Sequence, residues 1–135
     1  MSKYGNAFCA LKSNGTVQCW GAAANGGTTP SPSPTNVTAI TATGSAFAAL
    51  KSDGTVQCWG NAGNGGTTPT PVPSNVISIS STAYAFCAIK SDGSLQTWGF
   101  SLYGGTLPTP LPYNVVSVAS SFDQFVALYT LRFSL

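Results

Sequence analysis

Histidine and glutamate are absent from this 135-residue chain, and its only acids are Asp53, Asp92 and Asp123. General acid–base catalysis draws chiefly on His or on paired carboxylates, so the composition argues against an enzyme. Charge of either sign is scarce: 6% of residues are charged, against about 25% in an average soluble protein. Solvent-facing polarity must therefore come from Ser, Thr, Asn, Gly and Gln. A net charge of +2 is too small to point to nucleic acid or to an anionic membrane surface. No run of about 18 apolar residues occurs, so no transmembrane helix and no membrane insertion are expected. The opening MSKYGNAF has no apolar stretch of the kind a secretory signal needs. The four cysteines show no Cys-x-x-Cys spacing and have no His beside them, which matches no common zinc pattern. No cofactor, metal or catalytic residue is expected.

What the chain does contain is repetition. Ala46 to Gly60, AFAALKSDGTVQCWG, recurs as AFCALKSNGTVQCWG from Ala7 to Gly21 and as AFCAIKSDGSLQTWG from Ala85 to Gly99. A fourth copy starts at Gln124 (QFVALYT) and decays. Phe8, Phe47, Phe86 and Phe125 stand 39 residues apart, as do Trp20, Trp59 and Trp98, and Asn36, Asn75 and Asn114. A period near 40 rich in β-formers points to propeller blades and not to helical repeats. The expected architecture is one all-β repeat domain over 1–135, with units at about 3–41, 42–80, 81–119 and a partial 120–135.

Within a unit, Val76 to Ser80 alternates as a short strand, Ala85 to Lys90 reads as a second and Ser94 to Trp98 as a third. Ser91-Asp92-Gly93 suits a three-residue hairpin ending on a left-handed Gly. That turn sets a register. Leu50 faces Val56, Ala49 faces Gln57 and Ala48 faces Cys58, so Ala48, Leu50, Val56 and Cys58 share one side. Phe47, Ala49, Gln57 and Trp59 share the other. Both sides are largely apolar, and such a sheet must be sandwiched between neighbours. After each Trp-Gly a loop carries Gly-Gly and then Pro at alternate positions: Pro30, Pro32, Pro34; Pro69, Pro71, Pro73; Pro108, Pro110, Pro112. Having lost every second donor, these runs read as an outer edge strand or a polyproline II stretch. The tail Tyr129 to Leu135 alternates, with Leu131, Phe133 and Leu135 on one side, and reads as a terminal strand.

The recurring ALKSDGTVQCWG core, with Gly-Gly downstream and Asn-Val before the next unit, resembles the regulator of chromosome condensation repeat superfamily. The AFAALKSDG…WG…GG form looks closest to the propeller-type β-lactamase inhibitory proteins within it. The resemblance implies a seven-bladed propeller that serves as exchange factor, inhibitor or binding scaffold; it fixes no partner and brings no catalytic residue. Dividing the length by the period gives about 3.5 blades, fewer than the roughly four to eight that close a ring. Three arrangements cover the outer faces: two chains making one seven-bladed ring, further blades on a longer chain, or an open stack.

Several residues are candidates for function. Loops 21–29, 60–68 and 99–107 vary between units on a constant frame, as a binding face does. Phe100, Leu102 and Tyr103 make the third loop the most adhesive, since aromatics dominate hot spots. Trp20, Trp59 and Trp98 could present an aromatic ring or fill the gaps between blades. Cys9 and Cys19 face each other in the hairpin register, and a bond between them would imply an oxidising compartment such as the extracellular space. Cys58 and Cys87, on neighbouring units, form a second candidate pair. Lys12, Lys51 and Lys90 recur beside the turns, as a weak basic arc or as solvated turn residues. Asn14 and Asn36 fit the glycosylation pattern. The expected function is a non-enzymatic binding module for a protein partner, with a structural or assembly subunit as the alternative.

Overall fold

The computed structural model describes residues 6–109 and 111–130. Ten strands follow the repeat: β1 Ala7–Leu11, β2 Val17–Gly21, β3 Val37–Ala42, β4 Ala46–Lys51, β5 Val56–Gly60, β6 Val76–Ser81, β7 Ala85–Lys90, β8 Leu95–Gly99, β9 Val115–Ser120 and β10 Phe125–Tyr129. Single 3-10 turns occupy Ala23–Asn25, Ala62–Asn64 and Ser101–Tyr103, and no α-helix occurs among the described residues. The strands form four antiparallel sheets: β1-β2, β3-β4-β5, β6-β7-β8 and β9-β10. The fold is all-β, built of propeller-type blades.

The hairpin register follows from the turn. Leu50 pairs with Val56, Ala49 with Gln57 and Ala48 with Cys58, and the third unit repeats this with Ile89–Leu95, Ala88–Gln96 and Cys87–Thr97. Gly54 and Gly93 hold φ of 83° and 81°, a conformation that costs a glycine little and any other residue more. The Asn before each first strand is also left-handed, with φ of 57°, 56° and 53° at Asn36, Asn75 and Asn114; Asn tolerates this region better than most side chains. There the chain joins neighbouring sheets. Val37 N donates to Gly15 O of the previous turn at 2.9 Å, and Val76 N to Gly54 O at 2.9 Å.

The second and third sheets are buried on both sides. Ala48, Leu50, Val56 and Cys58 pack against Phe86, Ala88 and Trp98 of the next sheet. Phe47, Ala49 and Trp59 pack against Ala7, Val17, Cys9 and Cys19 of the previous one. Trp59 stacks on Phe47 with ring centroids 5.8 Å apart, and Trp98 lies 5.5 Å from Phe86. The first strands of successive sheets also touch. Ser81 Oγ donates to Ala42 O at 2.7 Å, Gly44 N to Ala83 O at 2.7 Å and Ala83 N to Phe122 O at 2.8 Å.

The proline runs depart from the edge-strand reading. Residues 28–36 and 67–75 contain no strand. Alternate prolines leave too few donors for a ladder, and each run crosses to the next sheet instead, with Pro34 and Pro73 fully buried. Gln57 Nε2 donates to Pro32 O and Gln96 Nε2 to Pro71 O, both at 3.0 Å. The exposed outer edge is served by loop hydroxyls: Thr29 Oγ1 accepts from Cys19 N and Thr68 Oγ1 from Cys58 N, each at 2.9 Å. Pro110, and the terminal strand expected through Leu131, Phe133 and Leu135, lie outside the described residues.

Candidate functional site

On one rim, each loop that follows Trp-Gly folds back onto the turn between the first and second strands of its own sheet. Asn61 N donates to Ser45 O and Phe100 N to Tyr84 O, both at 2.9 Å. Thr43 Oγ1 donates to Asn64 O at 3.1 Å, and Thr82 Oγ1 to Tyr103 O at 2.8 Å. The backbone is thus the same in the second and third units, and the side chains on it can be compared position by position.

In the second unit the contact is polar. Asn64 Nδ2 donates to Ser45 Oγ at 2.7 Å, and Asn61 Oδ1 accepts from Gly63 N at 3.0 Å, capping the 3-10 turn. In the third unit Tyr84 stands for Ser45, Tyr103 for Asn64, Phe100 for Asn61 and Leu102 for Gly63. Tyr84 and Tyr103 meet with centroids 4.8 Å apart, Phe100 lies 5.3 Å from Tyr103, and Phe122 approaches Tyr84 edge-on at 5.8 Å. Phe122 itself replaces Gly44 and Ala83 of the earlier units. The Phe100 turn has no side-chain cap. Five positions have therefore switched together from small or polar to large and apolar, at the loss of two local hydrogen bonds. Departures of this kind from a framework's own rules are expected where a surface has a task.

The cluster is not a core. Leu102 is 81% exposed, and Phe100 and Phe122 are exposed as well. Beside it lies a shallow cleft of about 280 Å³ bordered by Ser101, Leu102, Gly104, Asp123, Gln124 and Phe125. The structure thus brings together the expected Phe100, Leu102 and Tyr103, and adds Tyr84 and Phe122. Those two were missed because they belong to a different segment of the unit. Aligning the 39-residue copies column by column would have singled them out.

The tryptophans divide. Trp59 and Trp98 are each only 6% exposed and sit between sheets, filling the gaps between blades. Their Nε1 atoms have no hydrogen-bond partner, and Trp98 packs in the same buried cluster as Cys58. Trp20 is 52% exposed. Cys9 and Cys19 are directly opposite in the ladder and joined by a disulfide. Cys58 and Cys87 are free and buried, and they do not pair: Cys58 faces the third sheet, whereas Cys87 lies on that sheet's far side. Burial pushes both thiols up to about 12, leaving them protonated and inert at neutral pH. Among the described residues no three His, Cys, Asp or Glu side chains come together as metal ligands.

The opposite rim carries the hairpin turns. Asp53 Oδ1 accepts from Thr55 N at 2.9 Å and Oγ1 at 2.6 Å, and Asp92 does the same with Ser94. These bonds, with help from Lys51 and Lys90, hold both carboxyls below the usual carboxylate range. A lowered folded-state value means the ionised acid favours the folded chain above the unfolded pKa of about 3.9. The contribution is lost as pH falls through the lowered value. Asp53 and Asp92 should titrate by NMR below the model-peptide midpoint, and Thr55→Val should return Asp53 toward it while Asp92 stays put. The Lys12, Asn14 and Asn36 side of this rim borders an open hollow of about 680 Å³. A smaller one of about 360 Å³ recurs between the third and fourth sheets, so these hollows belong to the repeat geometry. Asn14 Oδ1 is engaged with Thr16 in the same turn bond.

No protein-family model matches the sequence, and no curated protein does. Solved structures do. Prp20p of Saccharomyces cerevisiae, described with its binding to Gsp1p and histones, superposes with a TM-score of 0.66 at 17% identity. The yeast RCC1 protein Prp20 bound to Kap60 gives 0.65 at 18%, and human WBSCR16 gives 0.60 at 20%. The chain aligns over 92% of its length with both yeast structures but spans only 41% and 40% of them; against WBSCR16 the shares are 96% and 44%. At these identities the likeness shows the fold: RCC1-like propeller blades, fewer than in those neighbours. It does not show the expected resemblance to the β-lactamase inhibitory proteins.

Proposed function

We propose that this chain is a non-enzymatic propeller module that binds a protein through the rim of its third and fourth sheets, with Tyr84, Phe100, Leu102, Tyr103 and Phe122 as the contact. The coordinated replacement of the Ser45–Asn64 type of hydrogen bond by half-buried aromatic rings, edged by the exposed Phe100, Leu102 and Phe122, carries this reading. Neighbours of this fold bind proteins, as Prp20p does Gsp1p and histones, and aromatic side chains are the usual anchors of such contacts. The disulfide in the first sheet suits an oxidising compartment. The chain with Phe100→Ser, Leu102→Ser and Tyr103→Ser should keep the wild-type far-ultraviolet spectrum and lose at least about tenfold in capture of whatever protein the wild type retains. Undiminished capture would remove the rim from consideration.

A second reading, an assembly subunit, is favoured by the bare outer faces of the first and fourth sheets. A second copy or further blades would cover them.

A further inference from the structure

The sheet-to-sheet contact within the chain has two unlike halves. One half is the Phe–Trp side of a sheet; the other is the aliphatic side of the sheet before it. Phe47 and Trp59 use the first half against sheet one, and Phe86 and Trp98 use it against sheet two. Phe8 and Trp20 stand at the same register positions, stacked at 5.7 Å, on the side of sheet one that no described sheet covers. The second half is supplied by Leu50 and its partners, and in sheet three by Cys87 and Ile89, all buried. At the other end of the chain Val126 and Leu128 occupy those positions and are 68% and 63% exposed. The molecule therefore displays, at opposite ends and on two-stranded sheets, parts of the two complementary halves of an interface it makes repeatedly inside itself.

Resting on the assembly reading above, we infer that the Phe8–Trp20 face of one copy docks on the Val126–Leu128 face of a second copy, head to tail. Phe8, Trp20, Val126 and Leu128 bring no charge to the contact. The two faces are unlike, so the contact is heterologous: each copy keeps one face of each kind, and association does not pair like with like.

The arrangement makes a demanding prediction for sedimentation velocity on the full chain. The wild type should associate with concentration. Trp20→Glu blocks one face and Leu128→Glu the other, both at exposed positions, and each variant alone should run as a single chain with self-association weakened at least about tenfold. Mixed in equal amounts, the two variants still own one intact face each, and they should form a two-chain species and nothing larger. A variant that pairs with itself, a mixture that stays single, or a wild type that remains one chain at about 100 µM would overturn the inference; the last is what ends shaped to meet further repeats of a longer polypeptide would give. The Phe100→Ser, Leu102→Ser, Tyr103→Ser chain should associate like the wild type. Loss of rim binding and loss of end-to-end association are thereby separately visible.

Discussion

Phe86→Ala should lower unfolding free energy by about 3–5 kcal/mol, the range for removing a large aromatic from a core. Phe86 is completely buried. One edge of its ring lies under the left-handed Gly65, whose missing Cβ would come within 2.6 Å of it. Around it are Trp98, Ala46, Ala48 and Cys58. Apart from Trp98, its surroundings are backbone strands and small side chains, which cannot collapse into the space it leaves, so the cavity term stays large. Urea denaturation of the whole chain would measure the effect. The same change at Phe8, on an outer face, should cost much less; equal losses at the two positions would show that the sheet-to-sheet contact is not where the stability resides.

The second large effect is expected at Gly66. A Cβ there would lie 2.4 Å from the Gly60 carbonyl carbon and 2.6 Å from Asn61 O, and both are backbone. Gly66 N donates to that same Asn61 O at 2.8 Å, so the side chain cannot be admitted without breaking the bond that closes the loop. Opening the loop would also lift Gly65 from the Phe86 ring. Gly66→Ala should therefore cost about 3 kcal/mol, the upper end for overpacking. Gly63→Ala in the same turn meets only Asn61 Oδ1, at 3.4 Å, and should change stability by no more than about 0.5 kcal/mol. Thermal unfolding of the two variants side by side gives the contrast directly.

Much of the framework could be read from the residues because it is local. Ser-Asp-Gly sets the hairpin register, and the register sorts Phe47 from Leu50 onto opposite faces. Two apolar faces then demand neighbours. What could not be read depends on contacts between segments well separated in the chain, 25 residues apart for Gln57 and Pro32. The proline run looks like an edge strand in isolation; only the next sheet's Gln57, reaching back to Pro32, shows it to be a crossing. Cys58 and Cys87 look close because their units are adjacent, and are held apart because pleating sends them to different sides. At the rim, Phe100, Leu102 and Tyr103 were legible as one contiguous adhesive loop. Tyr84 and Phe122 were not: the Phe100 N to Tyr84 O bond brings the first to that loop, and the Ala83 N to Phe122 O bond brings the second beside Tyr84's turn.

The near-identity of the units also burdens folding. The hairpins β4-β5 and β7-β8 have almost the same shape and the same apolar faces, so one could dock in the other's berth with most of the burial preserved; swaps between like modules are a known failure of repeat proteins. Something must label the copies. Only the first hairpin can form a covalent link, because the matching pairs downstream are Ala48–Cys58 and Cys87–Thr97. Only the third can join Tyr84 to Tyr103. The disulfide and the aromatic cluster thus distinguish the two ends of an otherwise interchangeable series.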